Sequence, residues 1–478
     1  MEHSSRVDND TPEKGWGAVN PSIFREYDIR GLVGIDLLEP EVQRLGRAFG
    51  TYLQNHDVHE AVVGWDSRES SPAYRQAIIA GLTATGINVT DVGEVTTPIF
   101  YFSRIHLAID GGVMITASHN PAEYNGFKLA RGKSTIFGDE IQEVRAIMET
   151  GRFHSGSGQV KQANPVPAYL TMLREKIHLG PHPLKVVVDC GNGTPSLFAQ
   201  EVMQAFGVEA IPLYCTSDAT FPNHHPDPVV AKNLADLIAA VKQHQADLGV
   251  AFDGDGDRIG VVDEHGTIVW GDRLMVLYWR EILARYPGTS AIIEVKCSKT
   301  LVDEVSRLGG RPEFFKTGHS LIKARMRELN AVFTGEMSGH MFFADEYFGY
   351  DDAFYAAGRL FRILSHTDQT LSQLLSDVPV MPATPEIRID CPDDKKQEVV
   401  SALQSAYRAQ PDVSVIDIDG VRANFPHGWG LVRASNTQPA LVARAEADTP
   451  EHLREIIQDL TARLGAFSYL PAVNWNGE

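Results

Sequence analysis

The sequence predicts an α/β fold of three similar mixed α/β domains and a smaller C-terminal α+β domain, arranged around a central cleft. Three observations predict it. Short apolar runs read as buried strands and alternate with helical runs, the mark of mainly parallel α/β sheets. The same order recurs three times, each time ending in a polar loop, and similar units with loops at equivalent strand ends build one shared cleft. From about Pro385 the pattern changes to half-buried strands and hairpin-like spacing, as an antiparallel sheet with an early and a late helix requires.

In chain order, residues up to about 20 read as a loose polar tail. Ser22 to Gly31 packs charge and aromatics against a turn glycine. The first unit has a strand at Ala61–Gly64, a helix from Pro72 to Thr85, a strand near Asn88 and Val89, and the strand Val113–Ile115. The second has Val186–Asp189, a helix around Leu197 to Phe206, Val208–Leu213 and Leu248–Phe252. The third has Ala291–Ile293, a helix through Val302 to Leu308, and Ala331–Phe333. Each unit is thus expected to run strand, helix, strand, strand. The last domain has strands at Glu386–Asp390, Val413–Ile418, Gly430–Val432 and Leu441–Ala445, with helices Lys395–Arg408 and Glu451–Leu464. The expected boundaries are 1–163, 164–266, 267–379 and 380–478.

Composition bounds the function. The chain has 478 residues, is 43% hydrophobic and carries a formal charge of −19. That acidic balance argues against nucleic acid but not against an anionic substrate, because a local cluster of Arg, Lys and His can dominate one cleft. No apolar stretch approaches the roughly 20 residues that span a bilayer, and the first twenty residues have no apolar core. The cysteines, Cys190, Cys215, Cys297 and Cys391, are far apart in sequence. They fit a reduced cytoplasmic compartment, with neither a disulfide framework nor a zinc site.

The chemistry lies in the loops. Thr116-Ala117-Ser118-His119-Asn120-Pro121 follows a buried strand, so Ser118 sits on a stiff turn at the strand end. His119 and Lys128 could both face a phosphate on its oxygen. In Asp253-Gly254-Asp255-Gly256-Asp257 the two glycines let the backbone curl until three carboxylates converge. Three hard oxygen ligands suit Mg²⁺. An EF-hand calcium loop is the competitor, with Glu264 at its last position, but Arg258 stands where that loop needs glycine and strands flank it in place of helices. Glu336, Ser338 and His340 alternate on the third loop and suit the vicinal hydroxyls of a sugar. Lys296 and His319 lie in the same repeat. Arg433, Ser435, Asn436 and Thr437 offer a guanidinium fork, hydroxyls and backbone N–H groups, a set suited to a phosphate without a metal.

With these four loops in this order, the chain resembles the α-D-phosphohexomutase family, most closely its bacterial phosphomannomutase/phosphoglucomutase branch. The resemblance covers nearly the whole chain after the first twenty residues. It implies four domains around a central cleft, Ser118 as a phosphoserine, and one Mg²⁺ held by Ser118, Asp253, Asp255 and Asp257, with Arg258 close by. It further implies that Glu336 and Ser338 bind sugar hydroxyls. Arg433, Ser435, Asn436 and Thr437 would then grip the substrate's phosphate, and Tyr27, Arg30, His119, Lys128, Lys296, His319 and His340 would complete the cleft. Gln438 stands where many relatives carry Glu, and Trp65 where a basic residue is common.

The expected activity is interconversion of a hexose 1-phosphate and 6-phosphate through a hexose 1,6-bisphosphate, with Lys128 and His340 as candidates for moving the proton. If Glu336 reads O3 and O4, which glucose and mannose share, both sugars are expected as substrates. The partner is a small phosphosugar, with neither nucleic acid nor membrane, and a cytoplasmic monomer is expected. Competing readings are a phosphoglucosamine mutase, a phosphoserine-dependent sugar phosphatase and a sugar-phosphate binding protein.

Overall fold

The computed structural model describes residues 19–435 and 438–475. It divides into two compact units, one of 1–278 with 338–374 and the other of 279–337 with 375–478.

The threefold repeat is present, with one correction to its content. In the first copy Glu60–Trp65 lies between Asn88–Glu94 and Gly111–Ile115, parallel to both. Lys185–Asp189 lies in the same way between Glu209–Leu213 and Leu248–Phe252. Ser290–Glu294 lies between Arg311–Phe315 and Phe333–Gly335. Each copy has a second helix that the sequence reading omitted: Thr97–His106, Ala235–His244 and His319–Leu329. The repeat is therefore strand, helix, strand, helix, strand, as parallel neighbours require, since the chain must cross back between them. The omission has a physical cause. Every residue from Thr97 to Arg104 is buried, which erases the one-sided pattern, and His319–Leu329 buries His319, Ser320 and Lys323 among its apolar residues.

In the first unit, the third strand of each copy turns back into an antiparallel neighbour. Gly111–Ile115 pairs with Tyr124–Arg131, and Leu248–Phe252 with Ile259–Asp263. The serine loop and the aspartate loop are thus equivalent strand-end connections. Glu39–Asn55, the longest helix among the described residues, is also not among the elements expected from sequence. It packs on Ser71–Ala84 through glycines; a Cβ on Gly81 would come within 2.3 Å of the Gln43 carbonyl oxygen.

In the second unit the C-terminal sheet is antiparallel throughout, in the order Ile387–Asp390, Ala440–Ala447, Gly428–Ala434, Val421–Phe425, Ser414–Ile416. Val421–Phe425 is a strand beyond those expected from sequence. Helices Lys396–Arg408 and Pro450–Leu464 complete its core with Val399, Leu403, Ile456 and Leu460. Thr449 caps the last helix by accepting from His452 N, with Pro450 in its first turn. Among the described residues no helix is long and apolar enough to cross a membrane.

Candidate active site

Ser118 is buried and held at φ 51°, a left-handed backbone that a serine adopts only when its surroundings impose it. Its amide donates to Thr116 Oγ1 at 2.9 Å. The larger constraint is Arg68, whose guanidinium donates to the carbonyl oxygens of Ser118, Asn120, Pro121 and Tyr124 at 2.6 to 2.9 Å and to Asp66 at 3.2 Å. Arg30 steadies the same loop through Asn120 Oδ1 at 2.8 Å, its Nε donating to Asp28 at 2.6 Å. The hydroxyl so presented donates to Asp253 Oδ2 at 2.6 Å and lies 3.2 Å from His119 Nδ1.

Asp253 opens a loop whose backbone is pinned from outside. The carbonyl oxygens of Gly254, Asp255 and Gly256 accept from the amides of Thr194, Thr97 and Ala353, each at the start of a helical segment. Inside the loop, Asp253 Oδ1 accepts from the amides of Gly256, Asp257 and Arg258, each at 3.1 Å. Arg258 Nε donates to Asp253 Oδ2 at 3.1 Å and its Nη1 to Asp227 at 3.2 Å. Lys128, from the strand that follows the serine loop, donates to Oδ2 of Asp255 at 2.9 Å and to Oδ2 of Asp257.

The three carboxylates offer oxygens within 4.8 Å of one another. Oδ1 of Asp255 and Oδ1 of Asp257 are buried and accept no hydrogen bond from the described residues, an arrangement that costs free energy unless a cation completes it. Burial and then the carboxylates of Asp257 and Asp255 push Asp253 up, a crowding that a dication relieves. Burial also works against the charge on Asp255, but Lys128 overrides it and holds that carboxyl down. The residues therefore fit a hard divalent cation beside Ser118 Oγ.

His340 adjoins this loop. Its backbone bridges to Arg258, and its Nδ1 lies 3.0 Å from Asp351 Oδ2 and 3.6 Å from Asp257 Oδ1.

The second unit has its own polar cluster. Lys296 lies on the turn after Ser290–Glu294, 3.2 Å from Glu294 and 2.8 Å from Glu386. Burial opposes its charge, but the two carboxylates raise its pKa, while Lys296 holds Glu386 down to about 2 against burial. The turn itself is gripped by Arg422, which donates to the Cys297 carbonyl oxygen at 2.8 Å and stacks 3.7 Å from the Trp429 ring, and by Arg444, which donates to that of Lys296. Arg433 donates to Asp419 at 2.8 Å, and Asp419 accepts the Thr317 amide at 3.0 Å. Gly318 N then donates to Glu336 Oε1 at 2.8 Å. Lys296, His319, Glu336, Arg433 and Ser435 all belong to this unit, whereas Tyr27, Arg30, Ser118, His119, Lys128, Arg258, Ser338 and His340 belong to the first. Asn436 and Thr437 lie outside the described residues.

Residues 21–155, 167–266 and 270–381 match the phosphoglucomutase/phosphomannomutase alpha/beta/alpha domains I, II and III, and residues 386–463 match the C-terminal domain. The chain belongs to the phosphoglucomutase/phosphomannomutase family. As a member of that family it is an isomerase. It is 46% identical over 435 residues to a phosphomannomutase/phosphoglucomutase of Pseudomonas aeruginosa, covering 91% of this chain and 94% of that protein. It is 41% identical over 442 residues to a phosphoglucomutase of Neisseria gonorrhoeae, covering 92% and 96%. A phosphoglucomutase/phosphomannomutase family protein from Burkholderia thailandensis has a similar crystal structure, with a TM-score of 0.89 and 39% identity over 95% of this chain and 99% of that one.

Within each unit of this phosphoglucomutase/phosphomannomutase family member, several residues that hold the expected ones gave no sequence signal. Arg68, Thr97, Asp227 and Asp351 of the first unit, and Glu294, Glu386 and Asp419 of the second, act as partners of the expected residues. A buried ion pair between residues distant in sequence leaves no local pattern. Trp65 lies under the Arg75 guanidinium at 5.0 Å, packed by a cation in place of being one.

Proposed function

We propose that this isomerase interconverts the 1-phosphates and 6-phosphates of glucose and mannose, with Ser118 carrying the transferred phosphoryl group. The single observation that supports it most is the strained Ser118 hydroxyl 2.6 Å from Asp253, at the edge of three converging carboxylates. The names of the Pseudomonas and Neisseria relatives point to the same two sugars.

Asp253, Asp255 and Asp257 would hold one Mg²⁺, which when bound would supply charge neutralisation on the phosphoryl oxygens. Lys128, buried and paired with two carboxylates, is suited to remain a fixed cation near that group. Arg258, fastened by Asp227 and Asp253, adds a second. His119 lies within reach of the Ser118 oxygen, and His340, steered by Asp351, is the better placed candidate to take the proton of an attacking sugar hydroxyl. Tyr27 and Arg30 would border the serine loop. Glu336, His319 and Ser338 would read sugar hydroxyls. Lys296 and the Arg433–Thr437 loop would hold the phosphate that is not being transferred. That grip reads phosphate and not carbon number, so a hexose 1,6-bisphosphate could return in either orientation and serve as both intermediate and activator. The working form is taken to be a cytoplasmic monomer.

The test is a coupled isomerisation assay with glucose 1-phosphate and mannose 1-phosphate, run with Mg²⁺ and a hexose bisphosphate, with phosphate release followed in parallel. Values of kcat/KM within about tenfold of each other are expected, since one epimeric hydroxyl outside the read positions discriminates little. A preference beyond about a hundredfold overturns dual specificity. Phosphate release without isomerisation makes the protein a phosphatase, and turnover of glucosamine 6-phosphate above both sugars makes it an aminosugar mutase.

A further inference from the structure

The cysteines, far apart in sequence, are not all apart in space. Cys190 follows the strand Lys185–Asp189 and Cys215 follows Glu209–Leu213, and their sulfurs lie 3.1 Å apart. The backbones around them are zipped together. Cys190 N donates to the Leu213 carbonyl oxygen at 3.1 Å and Asn192 N to that of Tyr214 at 2.9 Å, while Asn192 Nδ2 donates to that of Thr216 at 2.7 Å. Asn192 and Tyr214 both have left-handed backbones, φ 61° and 51°, so the two turns aim their cysteines at each other under constraint. A disulfide requires about 2.05 Å, so the two sulfurs must approach each other by about 1 Å.

From this geometry we infer that Cys190 and Cys215 form a reversible dithiol–disulfide couple, oxidised by small-molecule disulfides, whose state is transmitted to the Asp253–Asp257 loop. Cys190 is fully buried and Cys215 half-buried, so Cys215 is the sulfur that meets the oxidant. The hydrogen bond from Cys190 draws the Cys215 thiol down, while burial holds Cys190 up. The Cys215 thiolate attacks one sulfur of the oxidant, the oxidant's S–S bond breaks, and one thiolate leaves. Cys190 then loses its proton, attacks the Cys215 sulfur and expels the second thiolate. Two cysteine thiols and one disulfide thus become one protein disulfide and two small thiols.

The link to the site is short. Cys190 O accepts from Gly193 N at 2.8 Å, closing the turn whose next residue, Thr194, donates its amide to Gly254 O at 2.9 Å. Gly193 lies so close to Gly254 that a Cβ there would meet the Gly254 Cα and carbonyl oxygen at 3.0 Å. Any shift of the Cys190 backbone that accompanies closure would be passed through these contacts to the aspartate loop. Cys297 and Cys391, both buried, belong to the other unit.

The test uses the full-length, reduced protein treated with oxidised glutathione. Thiols are titrated after denaturation, peptides are mapped without reductant, and amide hydrogen exchange is followed over residues 190–194 and 253–258. Titratable thiols are expected to fall from four to two, with one peptide joining Cys190 to Cys215. Exchange at Thr194 and Gly256 is expected to rise about tenfold and to return on reduction. The Cys215→Ser protein should form no such link and show no rise. A stable glutathione adduct on Cys215 with Cys190 still titratable overturns the couple, as does protection of all four thiols. A link formed with unchanged exchange overturns the transmission to the loop. None of these readouts depends on the sugar turned over.

Discussion

Replacing Arg68 by lysine keeps the charge but removes the planar fork. In the native loop that fork serves four carbonyl oxygens, of Ser118, Asn120, Pro121 and Tyr124, together with Asp66. A lysine ammonium that stays with Asp66 reaches one or two of the carbonyls, so at least two of the four acceptors, which are buried at Ser118 and half-buried at Asn120, Pro121 and Tyr124, lose their donor. At about 1 to 3 kcal/mol for each unsatisfied group, two lost donors cost the loop about 2 to 6 kcal/mol. Holding a serine in the left-handed region costs about 1 to 3 kcal/mol. The weakened loop therefore no longer outweighs the strain, and Ser118 relaxes away from φ 51° and from Asp253. A misplacement of about 1 Å at a reacting atom costs about a hundredfold. The expected result in steady-state assays is a fall in kcat of about a hundredfold with KM for the sugar phosphate held within about threefold. The fraction of protein carrying phosphoserine, measured by mass spectrometry, separates slow transfer from missing phosphate. A lowered urea midpoint with unchanged kcat would refute the positioning role and leave Arg68 a stabilising residue alone. A raised KM at constant kcat would refute it differently, by showing that Arg68 contacts the substrate.

Ser118→Ala should reduce isomerisation to background while sugar-phosphate binding, followed calorimetrically, persists; retained turnover would remove the serine from the mechanism. Chelation should abolish activity, and Mg²⁺ should restore it far better than Ca²⁺, because the oxygens left by Asp255 and Asp257 suit short bonds and few ligands. Glu386→Gln tests the ion pair with Lys296. The folded pKa of Glu386 is held down to about 2 from an ordinary value near 4.5, so its contribution is complete above about pH 5 and is lost as pH falls toward 2. Wild type should exceed the variant by at most about 3 kcal/mol in neutral urea denaturation, and the gap should narrow steadily below pH 4.5; a gap independent of pH would show that the carboxylate charge is not what stabilises.

Legibility in the sequence followed locality. Ser118 and the aspartate trio were readable because a strand pattern, a turn and a dense set of carboxylates all fall within a few residues. The helix Thr97–His106 was not, because every residue from Thr97 to Arg104 is buried and no polar face marks its period. The strand Val421–Phe425 does not stand out as an apolar run, although its register with Gly428–Ala434 is regular, because Arg422 and Asn424 interrupt it. Arg422 is buried by stacking on Trp429 and donating to a distant turn, which a residue's identity does not announce. The cysteines show the same limit. Residues 25 apart in sequence became neighbours only when parallel strands brought their ends together.

By itself the sequence determined the α/β class, the three recurrences, the antiparallel C-terminal sheet and the residue types able to hold a cation and a phosphoryl group. Those depend on backbone period and on the chemistry of neighbouring side chains. Only the tertiary structure decided that Ser118 is strained, that Arg68 holds it so, and that Asp255 and Asp257 each keep an oxygen free of hydrogen bonds from the described residues. The reason is that the aspartate loop is held by amides at positions 97, 194 and 353, supplied by segments far from it in the chain. Contacts of that kind exist only after the sheets have formed and packed.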